Sequence, residues 1–330
     1  MLIIDRYGAA SEALASAFST DYIPRLEKIE SVNGRTAIAL CSGDAALHTA
    51  LHLCGAGEGD YVFVPAYTFY SHLCAVRYIG AVPVFLDCDP ITRCVSPAAL
   101  ETALMWAELQ NKPPKAVVID NAFGSVADFA KLNPLCKAWN VRTIELCVDA
   151  QCIERKGKRC GINCDYGVVA YDKRLPGGGA VLLCSEDVAE ARRFARMEYS
   201  DGESHDYRMN NFVAALDVAR RGAMQKLTER ARKNLAALVE ISDAVIPPVP
   251  GDAAVYAEVR AVWAADELSA ARFDVKRPPP VHALPMYRDC AFFEHERGYA
   301  VCDTFKSNCL VGMDISVPKR IKLAGILKNA

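Results

Sequence analysis

The sequence predicts an α/β protein whose mostly parallel sheet is covered by helices on both faces, with a smaller α+β domain after it. Three observations carry this reading. Short runs rich in Val, Ile and Phe recur between Thr36 and Cys184, helical stretches separate them, and glycine or a capping residue stands at many of the junctions. Parallel strands need such crossovers, and strands buried on both faces read as continuous apolar runs.

In order, "SEALASAFSTDY" predicts a first helix capped by Ser11. "YIPRLEKIESVNGR" predicts a second that ends in the Asn33-Gly34 turn. "TAIALCSG" is a strand ending in glycine, and "DAALHTALHLCGA" is the helix after it, with Asp44 near its first turn. The strands "DYVFVPAYTF" and "VPVFLDCD" flank "YSHLCAVRYIGA", a helix closed by Gly80. "SPAALETALMWAELQNK" places Pro97 where a helix start tolerates it. "KAVVIDNAFG" and "VRTIELCVDA" are strands around the helix "KLNPLCKAWN", and the alternation continues past Val168. "EDVAEARRFARMEY" returns across the sheet. A long helical region, "NNFVAALDVARRGAMQKLTERARKNLAALVE", then leads out of it, with Met209, Phe212, Leu216 and Met224 on an apolar face. Pro and Gly cluster in "VIPPVPGD" and "KRPPPVHALP", and "AAVYAEVRAVWA" between them suits a strand of the small domain. The large domain is expected over residues 1–220 and the small one over 221–330.

A net charge of −2 leaves no electrostatic footprint for nucleic acid or an anionic membrane. No window is long and apolar enough to span a bilayer. The 14 cysteines sit mostly inside apolar strings, as in "VLLCSED", where free cysteine behaves as a small hydrophobe. This pattern points to a reducing cytoplasm rather than a disulfide framework.

A sheet of this type holds ligands beyond the C-terminal ends of its strands. The turn "CSGDAALH" puts Ser42, Gly43 and Asp44 there, with the free amides of a helix start that suit phosphate. The longer stretch "CSGDAALHTALHLCGAGEGDYVFVPAYTFYSHLCAVRYIGAVPVFLDCDP" resembles the DegT/DnrJ/EryC1/StrS family of sugar aminotransferases. "KGKRCG" and "YRMNNFVAALDVARRGAMQKLTERARKN" are similar to two further blocks of that family, in the same order. The resemblance runs from about Arg35 to Asn234 and thins afterwards.

What it implies is aminotransferase fold type I: a three-layer α/β/α large domain, a small C-terminal domain, and a homodimer with the site at the subunit interface. It also implies pyridoxal phosphate (PLP) on a Schiff-base lysine, an aspartate holding the pyridine nitrogen, a phosphate cup, and keto-sugars linked to nucleotides as substrates. Carried over residue by residue, several positions depart. The third residue of the turn is Asp44, which either caps its helix or faces the ligand. The ring-holding position, counted back from Gly157, falls on Leu146, and Asp149 reaches it only if the register shifts. The cup serine falls on Ala170 and the cup asparagine on Asp206. Twelve residues lead from Gly161 to Lys173, two short of the family spacing, a displacement of about 6–7 Å on extended chain. Tyr67 and Phe69 stand near the family's ring-stacking position, or merely fill space. Arg208 adds positive charge beside Asp206.

Two readings follow. In the favoured one no cofactor is used: the chain has lost PLP transamination and binds or converts a polar metabolite, such as a nucleotide-linked sugar. Lys173 and Asp149 then serve as acid/base groups, with Ser42, Gly43, Asp44, Tyr67, Phe69, Asp206 and Arg208 around the ligand. A variant of this reading makes the chain a non-catalytic partner of an active homologue. In the alternative, Lys173 is the Schiff-base lysine of a working PLP aminotransferase and Asp149 its ring partner. His48 and His52 share a helix face, and Cys147, Cys152, Cys160 and Cys164 follow a C-x4-C-x7-C-x3-C spacing. Neither set has a recognised metal-site pattern, and no metal is expected.

Overall fold

The computed structural model describes residues 9–68, 70–148, 153–155, 157–171, 178–197, 204–249, 255–260 and 264–328. The helices are α1 (Ala9–Ser16), α2 (Ile23–Glu30), α3 (Gly43–Leu53), α4 (Tyr70–Tyr78), α5 (Pro97–Leu109), α6 (Phe129–Ala138), α7 (Val188–Arg196), α8 (Asn211–Val239), α9 (Ala264–Ala270), α10 (Val301–Thr304) and α11 (Val317–Lys328). The strands of the large domain are β1 (Thr36–Leu40), β2 (Tyr61–Pro65), β3 (Val82–Leu86), β4 (Ala116–Asp120), β5 (Arg142–Cys147), β8 (Tyr166–Ala170) and β9 (Ala180–Cys184). Between β5 and β8 lies a small hairpin, β6 (Glu154–Arg155) with β7 (Lys158–Arg159). The remaining strands are β10 (Val245–Ile246), β11 (Tyr256–Val259), β12 (Val275–Lys276), β13 (Phe292–Phe293) and β14 (Cys309–Gly312).

The large sheet runs β1-β9-β8-β5-β4-β2-β3-β13. Only β9 opposes the rest, pairing antiparallel with both β1 and β8. The strands β1, β8, β5, β4, β2 and β3 therefore end on one common edge. Alternation along each strand divides the core into two faces. Ile38 and Leu40, Val168 and Ala170, and Leu182 join one cluster with residues of α3, α4 and α7. Ala37, Ala39, Val169, Val181 and Leu183 point the other way, to α1, α2 and α8. On that side the β2–β4 half packs under α5 and α6 through Phe63, Val117 and Ile119. This is the three-layer α/β/α arrangement of aminotransferase fold type I. A second, fully antiparallel sheet, β10-β11-β14-β12, forms the smaller domain with α9 and α11. Among the described residues no helix is long and apolar enough to cross a membrane.

Local chemistry explains most boundaries. Ser96 caps α5 by accepting the Ala99 N–H, and Pro97 opens that helix. Asn33 and Gly34 both take positive φ in the turn before β1. Three details differ from expectation. Helix α1 begins at Ala9, so Ser11 lies within its first turn and is not its cap. The strands are shorter than their apolar runs, because β2 stops at Pro65 and β5 at Cys147. The C-terminal part also revisits the large sheet, where Phe292 and Phe293 pair in parallel with Phe85 and Leu86.

Candidate functional site

Every candidate residue the structure describes lies along the common strand-end edge or in the loops just beyond it. At one end, β1 runs into the turn that opens α3. Ser42 is in extended backbone (φ −158°, ψ 164°), and its side-chain oxygen accepts the Ala45 N–H at 3.1 Å. Ser42 is thus the cap, which corrects the expectation that Asp44 caps this helix. A cap must stand outside the helix with its oxygen over the third amide, whereas Asp44 is already inside the first turn. There its half-buried carboxylate meets the favourable end of the helix dipole.

The segment before α8 lies alongside this turn. Leu40 bridges Arg208, and the Cys41 N–H donates to the Tyr207 carbonyl at 2.7 Å. Arg208 donates to both oxygens of Asp206, at 2.7 and 2.9 Å. That fork holds the Asp206 carboxyl below its ordinary range and raises the guanidinium. The negative charge expected at Asp206 therefore comes with its own cation. Behind the turn, the Tyr207 hydroxyl and His48 Nδ1 share a hydrogen bond of 2.8 Å, and the Tyr207 ring stacks on His205. His52 Nε2 pairs with Glu190 at 2.7 Å, and its ring stacks on Phe194. The two histidines of α3 thus have different hydrogen-bond partners, although both rings touch Phe194.

Five strands along the sheet order from β1, Tyr67 follows β2. It is 3% exposed, with its ring centroid 4.8 Å from that of Phe123 and 4.9 Å from that of Phe305. Burial pushes its phenol well up. Phe123 holds φ 55°, ψ 25°, a left-handed conformation that a bulky residue seldom takes. A cleft opens here between the two domains, lined by Tyr67, Arg93, Phe123, Ser125, Tyr256 and Glu258 among others. Arg93 spans it, with its guanidinium 4.7 Å above the Phe305 ring and Nε donating to Glu258 at 2.9 Å. Asn308 donates to the other Glu258 oxygen at 2.6 Å. Beside this cleft Thr68 donates to Asp120, a carboxylate 1% exposed at the end of β4.

Between the two ends, Leu146 and Ala170 are fully buried in the apolar cluster of the α3 face. Lys173, Asp149 and Phe69 lie outside the described residues. Of the four clustered cysteines, Cys152 is also outside. Cys147 and Cys160 share one core cluster while Cys164 belongs to another.

A model of the DegT/DnrJ/EryC1/StrS aminotransferase family matches residues 21–249. The chain belongs to the DegT/DnrJ/EryC1/StrS family. Its relatives include EpsN of Bacillus subtilis (strain 168), 28% identical over 91% of this chain and 86% of that one. They also include the GDP-perosamine synthase of Escherichia coli O157:H7, 27% identical over 82% of this chain and 79% of that one. Among solved structures, a DegT/DnrJ/EryC1/StrS aminotransferase from Brucella abortus superposes with a TM-score of 0.87 at 21% identity, covering 98% and 95% of the two chains. The sugar aminotransferase CalS13 from Micromonospora echinospora gives 0.82 at 17%, covering 97% and 96%. These superpositions establish the fold.

Within this DegT-family frame, the sequence pointed to the α3 turn and to Asp206 and Arg208, which the structure places side by side, and did not single out Arg93, Phe123, Asp120 and Glu258. Asp120 had a signal, a carboxylate at the C-terminal end of a predicted strand. Arg93, Phe123 and Glu258 had none, since their roles depend on how the small domain closes over the large one.

Proposed function

We propose that this chain binds a polar, phosphate-bearing metabolite of the nucleotide-sugar class along the strand-end edge and does not carry out PLP transamination. The observation that carries this reading is the α3 turn. Ser42 accepts the Ala45 N–H through one lone pair and keeps its O–H as a donor, but the next side chain in line is the carboxylate of Asp44. Two further positions support it. At the place expected for the ring-nitrogen partner stands Leu146, and at the place of a cup hydroxyl stands Ala170, both fully buried among apolar side chains. A methyl and an isobutyl group supply neither a donor to phosphate nor an anion to a protonated pyridine. These two positions weigh against the cofactor.

What the chain does offer is a set of fixed donors. Arg208 keeps part of its guanidinium free of the two bonds to Asp206, and its exposed head suits a diphosphate oxygen. In the interdomain cleft, Tyr67, Phe123 and Tyr256 provide ring surface and Arg93 a second cation. The similarity to GDP-perosamine synthase agrees with a nucleotide-linked ligand. Lys173 and Asp149 are the acid/base candidates toward the bound metabolite.

A second reading rests on a specific observation. Because Arg208 neutralises Asp206, one of the two acids beside the turn no longer repels a phosphate. In that reading PLP binds, with Lys173 as its anchor and Asp149 as its ring partner. One experiment separates the two: absorption spectra with excess PLP, followed by borohydride reduction and peptide mapping, beside calorimetry with GDP and UDP. The first reading expects no adduct on Lys173 and nucleotide binding that Arg208→Ala weakens. An adduct on Lys173 establishes the second. A homodimer belongs to both readings. Phe18, 84% exposed, is a described apolar side chain suited to such an interface, and sedimentation of the wild type against Phe18→Ser tests it.

A further inference from the structure

We propose that His282, Cys302 and Asp303 form a binding site for one divalent cation of the zinc class, beside the strand-end edge. His282 Nδ1 lies 3.9 Å from Cys302 Sγ, and these atoms and a carboxylate oxygen of Asp303 all lie within 4.8 Å of one another. Tetrahedral zinc bound by a thiolate and an imidazole sets the sulfur and nitrogen about 3.6 Å apart. The existing pair is within a few tenths of an ångström of that. The Asp303 carboxylate, about half exposed, closes the remaining gap by rotation.

The two segments that supply the ligands are fixed before any ion arrives. The Val281 N–H donates to the Ala66 carbonyl at 2.7 Å, and the His282 ring stacks on Phe292 at 3.9 Å with planes 3° apart. Phe292 itself is a paired residue of the large sheet. The other segment hangs on Asp87, whose carboxylate accepts the N–H groups of Val301 at 2.7 Å and Cys302 at 2.9 Å. Rigid second partners of this kind orient metal ligands. One side of the group faces solvent, which gives an entry path and room for a water as fourth ligand.

A nucleophilic Cys-His pair is the competing use of the same residues. Cys302 is fully buried, which withholds its sulfur from a bulky electrophile but not from a small ion. The Cys302 S–H bond breaks, its electron pair forms the sulfur–metal bond, and the proton leaves to solvent. Lys306 lies 2.8 Å from Asp303 and is the cation the metal displaces. Two residues beyond Asp303, Phe305 packs on Tyr67, so occupancy stiffens one wall of the interdomain cleft.

The test is titration of the reduced full-length protein with Co²⁺, followed by competition with Zn²⁺. The expected result is one equivalent with a thiolate-to-cobalt charge-transfer band and the intense visible bands of a four-coordinate site. Cys302→Ser removes that charge-transfer band, and His282→Ala weakens binding by about 100-fold. Two exposed substitutions keep the test decisive if the buried variants fail to fold. Asp303→Asn weakens binding by about tenfold and Lys306→Gln tightens it by several-fold. A wild type with no charge-transfer band at excess Co²⁺ overturns the proposal. So does a band unchanged in Cys302→Ser, or an affinity indifferent to Asp303 and Lys306.

Discussion

Asp87 and Asp206 both flank the strand-end edge, and they handle a negative charge in opposite ways. Asp87 is fully buried at the end of β3 and accepts four backbone N–H groups, from Cys88, His295, Val301 and Cys302. Asp206 is exposed and leans on one guanidinium. The first is held by main chain from both parts of the sequence and cannot be released without disturbing the fold. The second is held by one side chain at the surface, so it can lose that partner without disturbing the fold. A carboxylate's surroundings, rather than its presence at the edge, decide whether it serves architecture or recognition.

The sharpest way to break this comparison is Asp87→Ala. It leaves four donors, three of them buried, without their acceptor, so a loss of about 3–5 kcal/mol in urea unfolding is expected. A loss below about 1 kcal/mol would mean that water replaces the carboxylate. Next is the interdomain pair. Arg93 and Glu258 are only 15% and 12% exposed, and a double-mutant cycle of Arg93→Ala with Glu258→Ala should give a coupling of about 1–2 kcal/mol. Smaller still is Glu190, whose carboxyl the Arg193 and His52 hydrogen bonds lower to about 2. Its folded value is depressed, so its contribution is present above the ordinary carboxylate range and fades as the pH falls toward 2. With 39% exposure, solvent screening limits the Glu190→Gln effect to about 0.5 kcal/mol at neutral pH, and the gap to wild type should vanish in acid. At the bottom of the stability scale, Arg208→Ala should leave the melting temperature unchanged while weakening GDP or UDP binding by about tenfold.

Much of the fold was legible because burial on both sides of a parallel sheet leaves a strong mark. Runs such as "VPVFLDCD" and "KAVVIDNAFG" correspond to β3 and β4, and Ser96-Pro97 to the start of α5. Cap chemistry was less legible. Ser42 and Asp44 are both good capping types two positions apart, and only the backbone angle of Ser42 decides between them. Arg93 and Phe123 were invisible for a related reason. Both sit at positive φ, where no apolar period operates. Three of the four partners of Asp87 were beyond reach because they come from more than 200 residues away, and pairing at that distance leaves no local trace.

The return of β13 to the large sheet has a mechanical consequence. In chain order β12 and β14 belong to the antiparallel sheet, yet β13 between them is laced onto β3. The small lobe is therefore stitched to its neighbour in mid-sequence, like a button sewn through two layers of cloth. Peeling it away as a free-standing piece requires tearing that seam, so a truncated gene for either half should yield insoluble chain, and denaturant should melt both halves in one step.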